Sequence, residues 1–128
     1  MIQRHLLLGL AAILLASCAP TAERPAPRYF ASAEVMLAAI KEIAATLRPD
    51  AFSPYLELVE EGRNRLVFES VTGEELLFRD PIVTTVNARV VAAAETVRVE
   101  VAGSGPGAIR ILDELINQLD QRFRRVVE

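Results

Sequence analysis

Five glutamates, Glu57, Glu60, Glu61, Glu74 and Glu75, crowd the middle of this chain. Paired carboxylates can run acid–base or glycosidic chemistry. These lie in or beside turns, where solvated acids are expected, so they read as surface. A second pattern, Gly103-Ser104-Gly105-Pro106-Gly107, sits between a strand and a helix as a phosphate-cradling turn would. A dinucleotide fold would need a parallel βαβ unit with an acidic residue further on, and a P-loop would need a following Lys. Neither pattern is completed, and the loop reads as a flexible β-to-α connection. A third group, Arg122, Arg124 and Arg125, is placed to touch acidic lipid or a partner, but cations at a helix C-terminus ordinarily complement its dipole. Nucleophile chemistry is reduced to one cysteine, Cys18, and one histidine, His5.

Cys18 closes the run Leu15-Ala16-Ser17-Cys18, after a basic start at Arg4 and an apolar segment from Leu6 to Leu15. A spanning helix needs roughly 20 apolar residues, and this core is about half that length, as in a cleaved signal. The run resembles the lipobox of bacterial lipoproteins. That resemblance implies that residues 1–17 are a signal peptide and that Cys18 becomes an acylated N-terminus carrying diacylglycerol and palmitate-type chains. It also implies the outer membrane, facing the periplasm, because Ala19 follows Cys18 where Asp would signal inner-membrane retention in enteric bacteria.

Processing of that kind would remove His5 and consume the single thiol. Cys/His and Ser-His-Asp sites are then impossible, as are zinc sites built on Cys or His and any disulfide within one chain. No enzyme is expected, and no catalytic residue, metal or cofactor is assigned. The formal charge of −3 falls to −4 when Arg4 is lost. Mild acidity argues against nucleic acid, which demands clustered positive charge. Lys41 is the only lysine, and no repeat or low-complexity tract appears.

The elements follow from spacing. Residues 18–31, with Pro20, Pro25 and Pro27, read as the lipidated cysteine and an extended, unpacked tether, with Tyr29-Phe30 as a short edge strand. Ser32 is an expected N-cap for a helix whose Met36, Ile40, Ile43 and Leu47 share one face, stopped by Arg48-Pro49. Strands are expected at Leu56 and Leu58, turning at Glu61 to Asn64, and at Leu66, Phe68 and Ser70. A short apolar piece, Leu76 to Phe78, precedes a strand with Ile82, Thr84, Val86, Ala88 and Val90 on one face, and Val97, Val99 and Val101 mark another. A second helix follows with the stripe Ile109, Leu112, Ile116, Leu119 and Phe123, and an Asp120–Arg124 pair on its surface.

One greasy and one polar face indicate an antiparallel sheet covered on one side. The expected fold is α+β, a single domain over 32–128 in the order α-β-β-β-β-α. Two helices pack on one face of a sheet of four or five antiparallel strands. In shape it is similar to the helix-grip domains of some envelope lipoproteins. Its uncovered face offers Thr85, Asn87, Arg89, Arg98 and Glu100 as candidates for partner binding. The reading is a membrane-anchored, non-enzymatic periplasmic accessory lipoprotein that binds an envelope protein. The alternative is a carrier of a lipid or small apolar ligand held between helices and sheet, which needs a cavity of roughly 300 Å³ or more. Neither the partner nor the oligomeric state is fixed by these residues.

Overall fold

Strict alternation from Ile82 to Ala92 builds the longest strand among the described residues. Its inward residues Thr84, Val86, Ala88 and Val90 are all buried, while Arg89 faces out. The computed structural model describes residues 21–73 and 80–127. Their elements are β1 (Ala22–Glu23), β2 (Arg28–Phe30), α1 (Ala33–Ala44), β3 (Glu57–Gly62), β4 (Arg65–Thr72), β5 (Ile82–Ala92), β6 (Thr96–Ser104) and α2 (Ala108–Arg122). The expected signal and lipobox over residues 1–18, Glu74, Glu75 and the Leu76–Phe78 piece lie outside the described residues.

The fold is α+β. β3, β4, β5 and β6 run as an antiparallel meander, and β1 and β2 both pair with the free edge of β6, giving six strands. β2 contains the expected Tyr29-Phe30 edge strand, and β1 is additional, because the Pro-rich segment is not an unpacked tether throughout. Ala22 pairs with Gly103 and Glu23 with Ala102, and Pro27 accepts a hydrogen bond from the Val99 amide at 2.9 Å. Prolines suit such an edge, because a missing N–H costs nothing where no further strand pairs.

Both helices cover one face of the sheet. Met36, Ile40 and Ile43 of α1 and Ile111, Leu112, Leu115 and Leu119 of α2 pack with Phe68, Val86, Val90, Val97 and Val99 into one core. Ser32 caps α1 as expected, its hydroxyl accepting from the Val35 amide at 3.2 Å. The helix ends at Ala44 rather than at Arg48-Pro49. Its last turn tightens: Thr46 and Leu47 amides bond the carbonyls three residues back, and the Thr46 hydroxyl also donates to Ile43 O at 2.7 Å. Leu47 stays buried without being helical.

Three further expectations are corrected. The buried stripe of α2 is Ala108, Ile111, Leu112, Leu115 and Leu119, whereas Ile109 is 54 % exposed. A helix turned this way is favoured by Gly103: a Cβ there would lie 3.2 Å from Ala108 Cβ, so glycine lets the helix approach β6 on its alanine side. Leu58 is exposed, because β3 is a sheet edge with an irregular register at Val59 and all six of its residues face solvent. Asp120 pairs with Arg125 at 3.1 Å instead of Arg124, since Phe123 leaves the helix in an extended conformation and breaks the i,i+4 geometry. The Arg124 guanidinium lies 4.4 Å above the Phe30 ring.

Candidate functional site

Sheet register decides what the uncovered face presents. Arg65 stands opposite Arg89, and Arg89 opposite Glu100, across β4, β5 and β6. Arg98 lies two residues before Glu100 on β6 and therefore on the same side. The Glu100 carboxylate sits between two guanidiniums, 3.8 Å from Arg89 and 3.4 Å from Arg98. The Arg89 side chain is 68 % exposed, so this cluster faces water. Thr85 and Asn87 occupy the same face further along β5, half-buried between their strand neighbours. The five candidates named from alternation are thus brought onto one surface, and no helix of the described residues covers it.

The face is grooved. A concavity of about 610 Å³ runs over it, bounded by Glu23, Arg24 and Ala26 on one side and by Arg65, Asn87, Arg89 and Glu100 on the other. Arg24 is fixed by a two-point bond to Asp113 of α2, at 2.5 and 3.2 Å, which wraps the β1 edge around the sheet. That hydrogen bond holds the Asp113 carboxyl below the usual carboxylate range and raises Arg24. Such donors and acceptors, the Asn87 amide, the Glu100 carboxylate and exposed guanidiniums, recognise charged and hydrogen-bonding surfaces.

Comparison with known proteins gives nothing. No family model matches the chain, and no curated protein or solved structure matches it.

The residues that alternation missed are Arg65, Glu23 and Arg24. Arg65 was legible, because it lies two positions before Val67 and so shares its face. Glu23 and Arg24 were hidden by the prolines around them, which favour an unpacked reading.

The other patterns resolve into structure. Glu57, Glu60 and Glu61 lie exposed along β3, with Glu61 paired to Lys41 of α1. The glycine loop is packed closely against its neighbours. Gly107 has φ 74° and a Cβ there would fall 2.7 Å from Pro49 O; Gly105 has φ 94° and abuts Val83 O. The Thr84 hydroxyl donates to Pro106 O at 2.7 Å and Arg110 donates to Pro49 O at 2.8 Å, which fastens the loop to β5 and to the α1–β3 connection. Asp113 and Glu114 share the adjoining concavity, a poor environment for an anion. At the C-terminus Arg122 pairs with Glu42 at 3.3 Å, and Arg125 is held by Asp120. Among the described residues no group of three or more His, Cys, Asp or Glu side chains is placed to hold a metal ion.

Proposed function

We propose that this chain is a lipid-anchored, non-enzymatic accessory protein of the bacterial outer membrane, facing the periplasm, whose uncovered sheet face docks a protein partner. Cys18 in Leu15-Ala16-Ser17-Cys18 carries the anchor, and Arg89, Arg98, Glu100, Asn87 and Thr85 make the contact. The observation that supports docking most is the exposed Arg89–Glu100–Arg98 cluster on a face that no helix covers. A surface that must stay soluble before assembly draws its specificity from charge and hydrogen bonding around a few anchors.

Docking is preferred to ligand carriage because the space between helices and sheet is filled. Met36, Ile40, Ile43, Leu112 and Leu119 there are each 0 % exposed. The test is a native pull-down from the envelope beside a thermal melt. Arg89→Glu is expected to lose the captured partner while melting close to the parent, since an exposed pair contributes about 0–1 kcal/mol. Undiminished capture by a stably folded variant refutes this docking surface.

A further inference from the structure

One end of the sheet gathers the start of β5, the β6–α2 loop, the α1–β3 connection and the entry of the chain. Gly105 abuts Val83 O, and Gly107 abuts Pro49. The Thr72 hydroxyl, opposite Ile82 in the sheet, donates to the Ser53 hydroxyl at 2.8 Å. Ala22 enters by pairing with Gly103, and it shares a concavity with Ile109. Large apolar side chains are exposed at this end: Phe52, Ile82, Val83 and Ile109. Phe52 is 94 % exposed, yet its turn is bonded, with Asp50 Oδ1 accepting from the Phe52 amide at 2.8 Å and from the Ser53 hydroxyl at 3.0 Å. An ordered turn thus holds an aromatic ring out into solvent.

We propose that this end of the domain is itself a membrane contact, seating Phe52, Ile82 and Ile109 in the interfacial layer of the lipid surface. This rests on the anchor reading above and adds what the folded domain does at the bilayer. The occupant follows from where the chain goes: it leaves β1 at Ala22 toward Cys18, at the end where these side chains protrude. Apolar side chains gain free energy on leaving water, and aromatic rings suit the boundary between headgroups and acyl chains. This seat leaves the open sheet face free.

Charge selects the kind of lipid. Among the described residues at this end Arg48 and Arg110 balance Asp50 and Asp80, so the surface it fits is neutral and the attraction apolar. The other end of the strands differs. Its turns expose Arg63 and Glu95, and its Phe30 ring lies under the Arg124 guanidinium, leaving Val35 and Val127 as isolated apolar side chains.

The test places the full mature chain, acylated at Cys18, in phosphatidylcholine vesicles. A polarity-sensitive fluorophore is attached through Ala51→Cys, beside Phe52, or through Arg63→Cys at the other end, the Cys18 sulfur being occupied by lipid. The label at position 51 is expected to shift to the blue and to be quenched by spin-labelled headgroups, at low and high salt alike because charge does not drive the contact. The label at position 63 is expected to stay open to aqueous iodide. Adding Phe52→Ser/Ile109→Ser is expected to abolish the blue shift and the headgroup quenching, with melting close to the parent because both side chains are exposed. Equal iodide access at the two positions overturns the inference. So does headgroup quenching at position 51 that survives Phe52→Ser/Ile109→Ser or disappears at high salt. Mass spectrometry of the purified parent keeps the two readings apart. An acylated chain with both labels in water ends this inference and leaves the anchor standing, whereas an unacylated Cys18 removes both.

Discussion

The Tyr29 hydroxyl donates to Asp120 Oδ1 at 2.8 Å, tying the second residue of a three-residue strand to the last turn of α2. Tyr29 is fully buried, and its ring lies 6.3 Å from that of Phe123. Arg125 donates to the same carboxylate at 3.1 Å, and its guanidinium lies 5.9 Å from the Tyr29 ring centre. The C-terminal segment then runs beside β2: Phe30 N bonds Arg124 O at 3.0 Å and Val126 N bonds Arg28 O at 2.8 Å. One phenol therefore joins both ends of the described chain.

Tyr29→Phe keeps the ring and removes the donor. A hydrogen bond to a charged acceptor contributes roughly 1.5–3 kcal/mol, so urea unfolding should report a loss of that order, accompanied by loosening of the C-terminal segment. Stability equal to the parent's would show that the bond is dispensable.

The same tyrosine predicts an alkaline limit. Burial, then the bond to Asp120, pushes its hydroxyl from the ordinary value of 10.0 up to about 12. The folded state holds the proton more tightly than the unfolded chain. This contribution is therefore complete below pH 10, and it disappears as pH rises through 12. At about 1.36 kcal/mol per pKa unit it amounts to at most about 3 kcal/mol. Thermal melts from pH 9 upward should show a decline that Tyr29→Phe lacks.

Core truncations on α2 should be unequal. Leu119 is fully buried, and Leu119→Ala should cost about 2–5 kcal/mol. Ile116 only flanks the core, so Ile116→Ala should cost distinctly less, and equal losses in chemical denaturation would contradict the orientation described for this helix.

Glycine substitutions separate packing from turn geometry. At Gly107 a methyl group meets the Pro49 backbone and φ is positive, so Gly107→Ala should destabilise by about 1–3 kcal/mol. At Gly62 the nearest atom is 4.0 Å away, and Gly62→Ala should leave the melting temperature nearly unchanged.

The anchor is tested by Cys18→Ser. The serine variant is expected in the soluble periplasmic fraction, and a variant that still fractionates wholly with membranes would remove the basis for a lipid anchor.

Much of the sheet could be read from alternation, because a residue two positions along lies on the same face whatever strand it pairs with. That is why Val86, Ala88 and Val90 fall together, and why Thr85, Asn87 and Arg89 face outward. Pairing across strands is another matter. The Arg89–Glu100 contact depends on the length of the turn at Ala93–Glu95, and the pairing of Ala22 with Gly103 joins segments at opposite ends of the chain. Neither is encoded in local spacing. The stripe of α2 was ambiguous for a related reason: Ile109, Ile111, Leu112, Leu115 and Ile116 are all apolar, so periodicity alone fits two orientations. The glycine at position 103 of the neighbouring strand decides between them.

The pairing of Ala22 with Gly103 also shortens the leash. Only Ala19, Pro20 and Thr21 stand between Cys18 and the sheet, and four residue steps span at most about 14 Å. A lipid on Cys18 would then leave the domain little freedom to wander. The β1 corner would be kept close to the headgroups, and binding partners would have to arrive from the side, at a nearly fixed height above the membrane.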